Sequence, residues 1–222
     1  MRISLLFCVL VSFVPAKAGL ITNGSFESPV VPVGGFTNFA SGSTLIPGWT
    51  VVGAAGGVSI VSGTFVQECC TFPAEDGAQW LDLTGDGTNS VEGVEQTIAT
   101  TAGTNYTASF WIGNTYDPGG IFGTTSTVDV LTGGLDGSLL GAFTNSSTTT
   151  GTLVWEEFST SFTASGSSTT LDFLNADPGN DSSNGLDNVS VVANAGGVPE
   201  PGTLSLLGIG ILGLGLLLRR RA

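Results

Sequence analysis

The feature that most constrains the fold of this chain is a repeated pattern of short β-rich runs between residues 20 and 192. Clusters of Gly, Asn and Thr separate the runs, and no stretch between them has the 3.6-residue apolar period of a helix. In the clearest run, apolar residues from Tyr106 to Ile112 alternate with Thr107, Ser109 and Trp111. Because neighbouring side chains of a strand point to opposite faces, this run predicts a sheet with one face on a core.

Eleven runs of this kind predict eleven strands. Many short strands with no helix between them indicate a two-sheet antiparallel β-sandwich, and we expect a jelly roll. One domain over residues 19–193 is long enough to bury a single core. The predicted strands are 20–22, 49–52, 58–66, 79–84, 94–99, 105–112, 126–131, 139–143, 153–162, 169–174 and 186–192.

The first 18 residues have the features of a secretory signal peptide. Arg2 precedes an apolar run over residues 3–14, Pro15 ends that run, and Ala16-Lys17-Ala18 fits the small-x-small cleavage pattern. We therefore expect the mature chain to begin near Gly19 and to fold outside the cytoplasm.

Removal of the leader also removes Cys8 and leaves two adjacent cysteines, Cys69 and Cys70. Disulfides persist in the compartments that exported proteins reach. A vicinal disulfide, a pair of intermolecular bonds and two free thiols all remain open.

Charge excludes several classes of function. All five basic residues lie outside residues 19–197, namely Arg2, Lys17 and the three terminal arginines, and the chain has no histidine. Of its 18 acidic residues all except Glu200 lie in 19–197, which leaves 17 there. Nucleic acids and phosphorylated ligands need cationic side chains, so we exclude them as partners. No His or Lys base can activate a Ser or Cys nucleophile, and no imidazole zinc site can form.

Residues 194–222 form a distinct tail. Residues 194–201 are a linker that ends in Val198-Pro199-Glu200-Pro201, where the prolines prevent a helix from continuing. Residues 202–218 are apolar and Gly-rich, and as a helix they would be roughly 25 Å long, close to a bilayer span. The basic tail 219–222 contains Arg219, Arg220 and Arg221, which predict a cytoplasmic C-terminus and a domain outside the cytoplasm.

This tail resembles the PEP-CTERM sorting signal of exported proteins from Gram-negative bacteria that make exopolysaccharide. The resemblance covers residues 198–222 and implies recognition by an exosortase, a membrane-embedded transpeptidase-like enzyme. It also implies temporary anchoring in the inner membrane, followed by release to the cell surface or extracellular matrix. The alternative is an ordinary C-terminal membrane anchor after a proline-rich linker.

The domain resembles galactose-binding-like jelly rolls, which include carbohydrate-binding modules. Asn23-Gly-Ser-Phe-Glu27 stands near the opening motif of that fold and Leu186-Asp187-Asn188-Val189 near its closing motif, with Ile46-Pro-Gly-Trp49 and residues 76–83 between them. The resemblance implies that the first and last strands pair and that a structural Ca²⁺ joins Glu27 to Asp187. The alternative is that Glu27 caps a turn and Asp187 hydrogen-bonds to backbone.

Sugar binding needs an aromatic surface beside polar side chains. Trp111 is the candidate for glycan stacking, because alternation points it away from the Phe110 face. A carboxylate-dependent glycoside hydrolase is an alternative with Glu156, Glu157 and Asp82 as candidates, but Glu156 and Glu157 point to opposite faces of one strand. We predict no enzyme, but an exported surface or biofilm-matrix protein whose partner is a neutral glycan or another matrix protein.

Overall fold

The computed structural model describes residues 19–53, 56–85, 91–177 and 183–194. The predicted signal peptide, the sorting motif, the C-terminal helix and the terminal arginines lie outside the described residues. In the described ranges, no helix has the length and apolar content needed to cross a membrane.

The described residues form strands joined by turns and loops. The strands are β1 (Phe36–Phe39), β2 (Thr50–Gly53), β3 (Val58–Ser62), β4 (Val66–Gln67), β5 (Cys70–Thr71), β6 (Gln79–Asp82), β7 (Glu92–Ala99), β8 (Asn105–Asn114), β9 (Ser126–Thr132), β10 (Ser138–Asn145), β11 (Val154–Thr163), β12 (Ser168–Asn175) and β13 (Gly185–Ala193).

Eleven of these strands make two sheets. The six-stranded sheet has the order β1-β3-β6-β13-β8-β11 and the five-stranded sheet has the order β10-β9-β12-β7-β2, while β4 and β5 form a separate hairpin. Every pairing between named strands is antiparallel. The prediction of an all-β antiparallel sandwich is confirmed.

Apolar side chains from both inner faces fill one core between the sheets. In β8 the predicted alternation holds, with Phe110 and Ile112 fully buried and Trp111 half-buried on the outer face. The ring of Phe173 meets those of Phe110 and Trp49 edge-on, with centroids 5.3 and 6.1 Å apart. Burying a ring of this size stabilises the fold by about 2–3 kcal/mol relative to leaving it in water.

The predicted first strand, 20–22, is not a strand. Only single backbone bonds join the N-terminal segment to β13, from Leu20 N to Val191 O (3.0 Å) and from Val189 N to Gly24 O (2.9 Å). The backbone takes positive φ at Asn23 (54°) and Phe26 (52°), which turns the chain out of a ladder. The Gln96 side chain holds Thr22 instead: Thr22 N donates to Gln96 Oε1 at 2.7 Å, and Gln96 Nε2 donates to Thr22 O at 3.0 Å.

Candidate functional site

A groove lies on the outer face of the six-stranded sheet, over β1, β3 and β6. Its cavity is about 330 Å³, at the small end of the range of ligand pockets. We call it the aromatic groove, and it is defined by Phe36, Phe65, Phe72, Trp80, Ile121 and Phe122 around Ser59 and Asp82.

Strand register builds the floor of the aromatic groove. Trp80 pairs with Val61, and Asp82 pairs with Ser59. The residues between them, Ile60 and Leu81, are fully buried in the core between the sheets. Because side chains alternate along a strand, Val61 and Trp80 form an apolar row on the floor, and Ser59 and Asp82 form a polar row. A sugar presents the same two kinds of surface.

The β4–β5 hairpin and the residues after it form one wall. Phe72 stacks on Trp80, with ring centroids 6.2 Å apart, and meets Phe122 at 5.2 Å. The Trp80 indole N–H donates to the Phe72 carbonyl at 3.2 Å. Cys70 is buried in the same cluster and forms a vicinal disulfide with the exposed Cys69.

Trp155 closes the side of this cluster that faces β8 and β13. Its ring lies 5.8 Å from that of Trp80, edge to face, and its indole N–H donates to the Pro73 carbonyl at 2.8 Å. Gly113 and Gly185 lie under the ring, where an added Cβ would come within 2.9 and 2.8 Å of it. The absence of side chains at these two positions therefore makes room for the indole.

Asp82 is the carboxylate of the groove, and it is 9% exposed. Its Oδ1 accepts hydrogen bonds from Thr84 N (3.0 Å), Thr84 Oγ1 (2.8 Å) and Asn184 N (3.4 Å). Burial outweighs these bonds and raises the pKa of Asp82 to about 6. Above that pH the Asp82 carboxylate is negatively charged and disfavours anionic ligands. Its Oδ2 atom can accept a hydrogen bond, so the groove suits an uncharged ligand that has hydroxyl groups.

Trp111 lies on the same outer face but outside the groove. Trp111 pairs with Asp187 of β13 on one side and with Glu157 of β11 on the other. Its strand, β8, lies two strands away from β6, which carries Trp80. The structure therefore does not bring Trp111 together with Trp80 and Asp82. Glu156 and Glu157 pair with Ile112 and Trp111 in an unbroken register, so their side chains point to opposite faces as expected.

Glu27 and Asp187 both contact the loop that precedes β6. Glu27 Oε1 accepts from Ala78 N (2.8 Å) and Gln79 N (2.9 Å), while Asp187 Oδ2 accepts from Glu75 N (2.9 Å) and Asp76 N (3.1 Å). Burial raises the pKa of Asp187 to about 8.

Four backbone N–H groups thus compensate the two carboxylates, as in the alternative in which Glu27 caps a turn and Asp187 hydrogen-bonds to backbone. Among the described residues no group of three or more His, Cys, Asp or Glu side chains is arranged to hold a metal, so any calcium site in that part of the chain would have at most two carboxylate side chains. With these donors the pair has less need of a cation, and calcium at Glu27 and Asp187 stays a prediction.

Part of the groove could have been found from the sequence. Alternation in the predicted strand 79–84 already places Trp80 and Asp82 on one face. Phe36 and Phe122 carried no such signal, because they lie in a short strand and a loop and reach the groove only through the tertiary fold. Phe65 fell within the predicted strand 58–66, which in the structure ends at Ser62.

Comparison with protein families gives two matches. The family described as "Protein of unknown function (DUF642)" matches residues 19–192, and the PEP-CTERM protein-sorting motif matches residues 197–221. The predicted resemblance of the tail to that signal is confirmed. No curated protein matches the chain.

Similar solved structures include parts of larger proteins. The active domain of tailspike protein 4 from bacteriophage CBA120 is 14% identical over 79% of this chain, with a TM-score of 0.45. The chain spans only 21% of that protein.

Two carbohydrate-binding modules are also similar. The CBM22-1 xylan-binding domain of Xyn10C from Paenibacillus barcinonensis is 18% identical, with a TM-score of 0.43 and coverage of 81% of this chain and 97% of that one. TmCBM61, solved with β-1,4-galactotriose, is 14% identical with a TM-score of 0.43 and coverage of 80% and 100%. Similarities at this level do not identify a ligand.

Proposed function

The chain belongs to the DUF642 family and carries a PEP-CTERM protein-sorting motif, and on that premise we propose an exported, non-catalytic surface protein that binds neutral glycan. An exosortase would sort it through Pro199, Glu200 and Pro201, and its partner would be the extracellular polysaccharide matrix. The observation that supports sorting is the motif match, and the one that supports glycan binding is the aromatic groove.

The groove has the chemistry that an uncharged sugar requires. Phe36 is 45% exposed at the rim and meets Phe65 edge-on at 5.5 Å, so an aromatic face is available to the apolar side of a pyranose ring. Asp82 and Ser59 supply oxygen atoms for hydroxyl groups. With 17 acidic and no basic residues in 19–197, the domain repels polyanions, which favours a neutral glycan over an acidic one.

Sorting is tested by separating the motif from the apolar helix. Replacing Pro199 and Pro201 with alanine keeps residues 202–218, whereas deleting residues 198–222 removes both. We expect the double variant to stay in the membrane unprocessed, the deletion to appear in the medium, and the wild type to lose its tail. Fractionation and mass spectrometry of the mature C-terminus measure this. A wild type that keeps residues 198–222 in the membrane, as the double variant does, would mean an ordinary anchor.

Glycan binding is tested by retention of the exported protein on neutral polysaccharide from the producer's own matrix. Phe36→Ala should weaken retention about tenfold, equal to roughly 1.4 kcal/mol, and leave the fold intact because the ring is at the rim. Trp111→Ala is the matched control from the same outer face. A loss confined to Trp111→Ala would move the site to β8, and no retention of the wild type would refute glycan binding.

A further inference from the structure

Two carboxyl groups face each other on the outer face of the five-stranded sheet, on the side of the sandwich opposite the aromatic groove. Asp172 of β12 is directly opposite Glu95 of β7, and Glu95 is opposite Thr50 of β2. The adjacent residues Val51, Val94 and Phe173 are fully buried in the core, so alternation turns Thr50, Glu95 and Asp172 outward in one row.

The Asp172 carboxyl group is only partly compensated. Asp172 is fully buried, and its Oδ2 accepts one hydrogen bond, from Gly134 N at 3.1 Å. Within the described part of the chain its Oδ1 is buried with no hydrogen-bond partner. The Glu95 carboxyl group lies within hydrogen-bonding reach of the Asp172 carboxyl group. A buried carboxylate oxygen beside a second carboxylate is unfavourable unless something positive lies between them.

The rest of the domain cannot supply that positive charge. Residues 19–197 contain no Lys, Arg or His, so an ion pair is impossible. Glu27 and Asp187 each receive two N–H donors from one loop, whereas Asp172 receives one. The remaining candidates are a bound cation and a shared proton.

We propose that Glu95 and Asp172 bind a hard divalent cation, Ca²⁺ in the extracellular medium, with the Thr50 hydroxyl as a further oxygen donor. Carboxylate and hydroxyl oxygens are the ligands that Ca²⁺ prefers, and a site with two carboxylates belongs to the weak class that extracellular calcium can fill. The cation would join β2, β7 and β12 across the sheet. The proposal is independent of glycan binding.

A proton competes for the same position. Burial, followed by the facing Glu95, raises the pKa of Asp172 to about 7. The test is therefore run at pH 8, where Asp172 is mostly ionised.

The experiment measures the melting temperature of the exported protein after EDTA treatment and after addition of CaCl₂, with calorimetric titration of CaCl₂ alone. We expect calcium to raise the melting temperature by a few degrees through binding to the folded state. Asp172→Asn and Glu95→Gln should abolish the rise. The amide oxygen that Asp172→Asn introduces can still accept from Gly134 N, and the half-buried Glu95 tolerates an amide, so the response is measurable in at least one variant.

Two matched variants each remove one negative charge elsewhere. Glu157→Gln, exposed on the other sheet, should keep the full calcium response. Glu27→Gln should keep it too, and a response lost only in Glu27→Gln would assign calcium to Glu27 and Asp187 and overturn the proposal. A wild type that is indifferent to CaCl₂ at pH 8 would overturn it as well and leave a shared proton.

Discussion

At the residue scale, the buried carboxyl groups are the most informative side chains, because this domain has no basic residues to pair with them. Each must be compensated by N–H donors, a proton or a cation, and the structure shows different solutions. Asp187 has backbone N–H groups, Asp82 has the backbone and hydroxyl of Thr84, and Asp172 has a single donor within the described ranges. The sequence showed that charge was one-sided, but not which carboxylates would be buried.

Asp82 makes a specific prediction about pH. Its pKa is about 6 in the folded protein against an ordinary 3.8, so between pH 4 and 6 the folded state holds a proton that the unfolded state has released. Stability therefore falls as pH rises through this window, and the contribution of Asp82 is constant above it. Relative to Asp82→Asn, the wild type should lose roughly 2 kcal/mol of unfolding free energy from pH 4 to 6.5.

Urea unfolding at half-unit pH steps measures this difference. Glu157→Gln, with its exposed side chain, is the control and should follow the wild type. Parallel curves for the wild type and Asp82→Asn would show that burial does not keep Asp82 protonated.

At the element scale, the β4–β5 hairpin stands apart from the sandwich. It packs through the cluster of Cys70, Phe72, Trp80 and Phe122, which is separate from the main core. Its turn places Glu68 at a φ of 51°, a conformation that non-glycine residues rarely adopt, directly before the disulfide. A bridge between adjacent residues closes almost no loop, so we expect it to stabilise the hairpin locally and the whole fold very little.

Reduction of the Cys69–Cys70 bond should therefore loosen one wall of the aromatic groove and leave the sheets intact. Hydrogen exchange measures this. The Thr71 and Phe72 amides, which donate to Gly151 O and Phe65 O at 3.2 Å, should exchange at least tenfold faster, while those of Val128 and Val130 in β9 stay protected. The Cys69→Ser/Cys70→Ser variant should not respond to the reductant. Equal acceleration in β9 would mean that the hairpin and sandwich unfold together.

At the scale of the whole molecule, alternation was enough to predict the sandwich, because each long strand has one face on the core. The strand predicted over 105–112 is β8, Asn105–Asn114. β4 and β5 were missed as separate strands because two residues are too few to show a period, and the four residues of β1 show no apolar alternation. Residues 20–22 were wrongly predicted to be a strand, since the Gln96 side chain that holds Thr22 is distant in sequence.

Strand β13 also fixes where the groove stands in relation to the tether. Gly185 at its start pairs with Asp82, and Ala193 at its end lies four residues before the matched sorting motif at 197. Eight steps of about 3.3 Å make this strand a spacer of roughly 26 Å. Leu20, bonded to Val191, lies at the tethered end too. If the domain is held by its tail as proposed, the Asp82 end of the groove lies at the end of β13 away from the attachment point, where a polymer has room to dock.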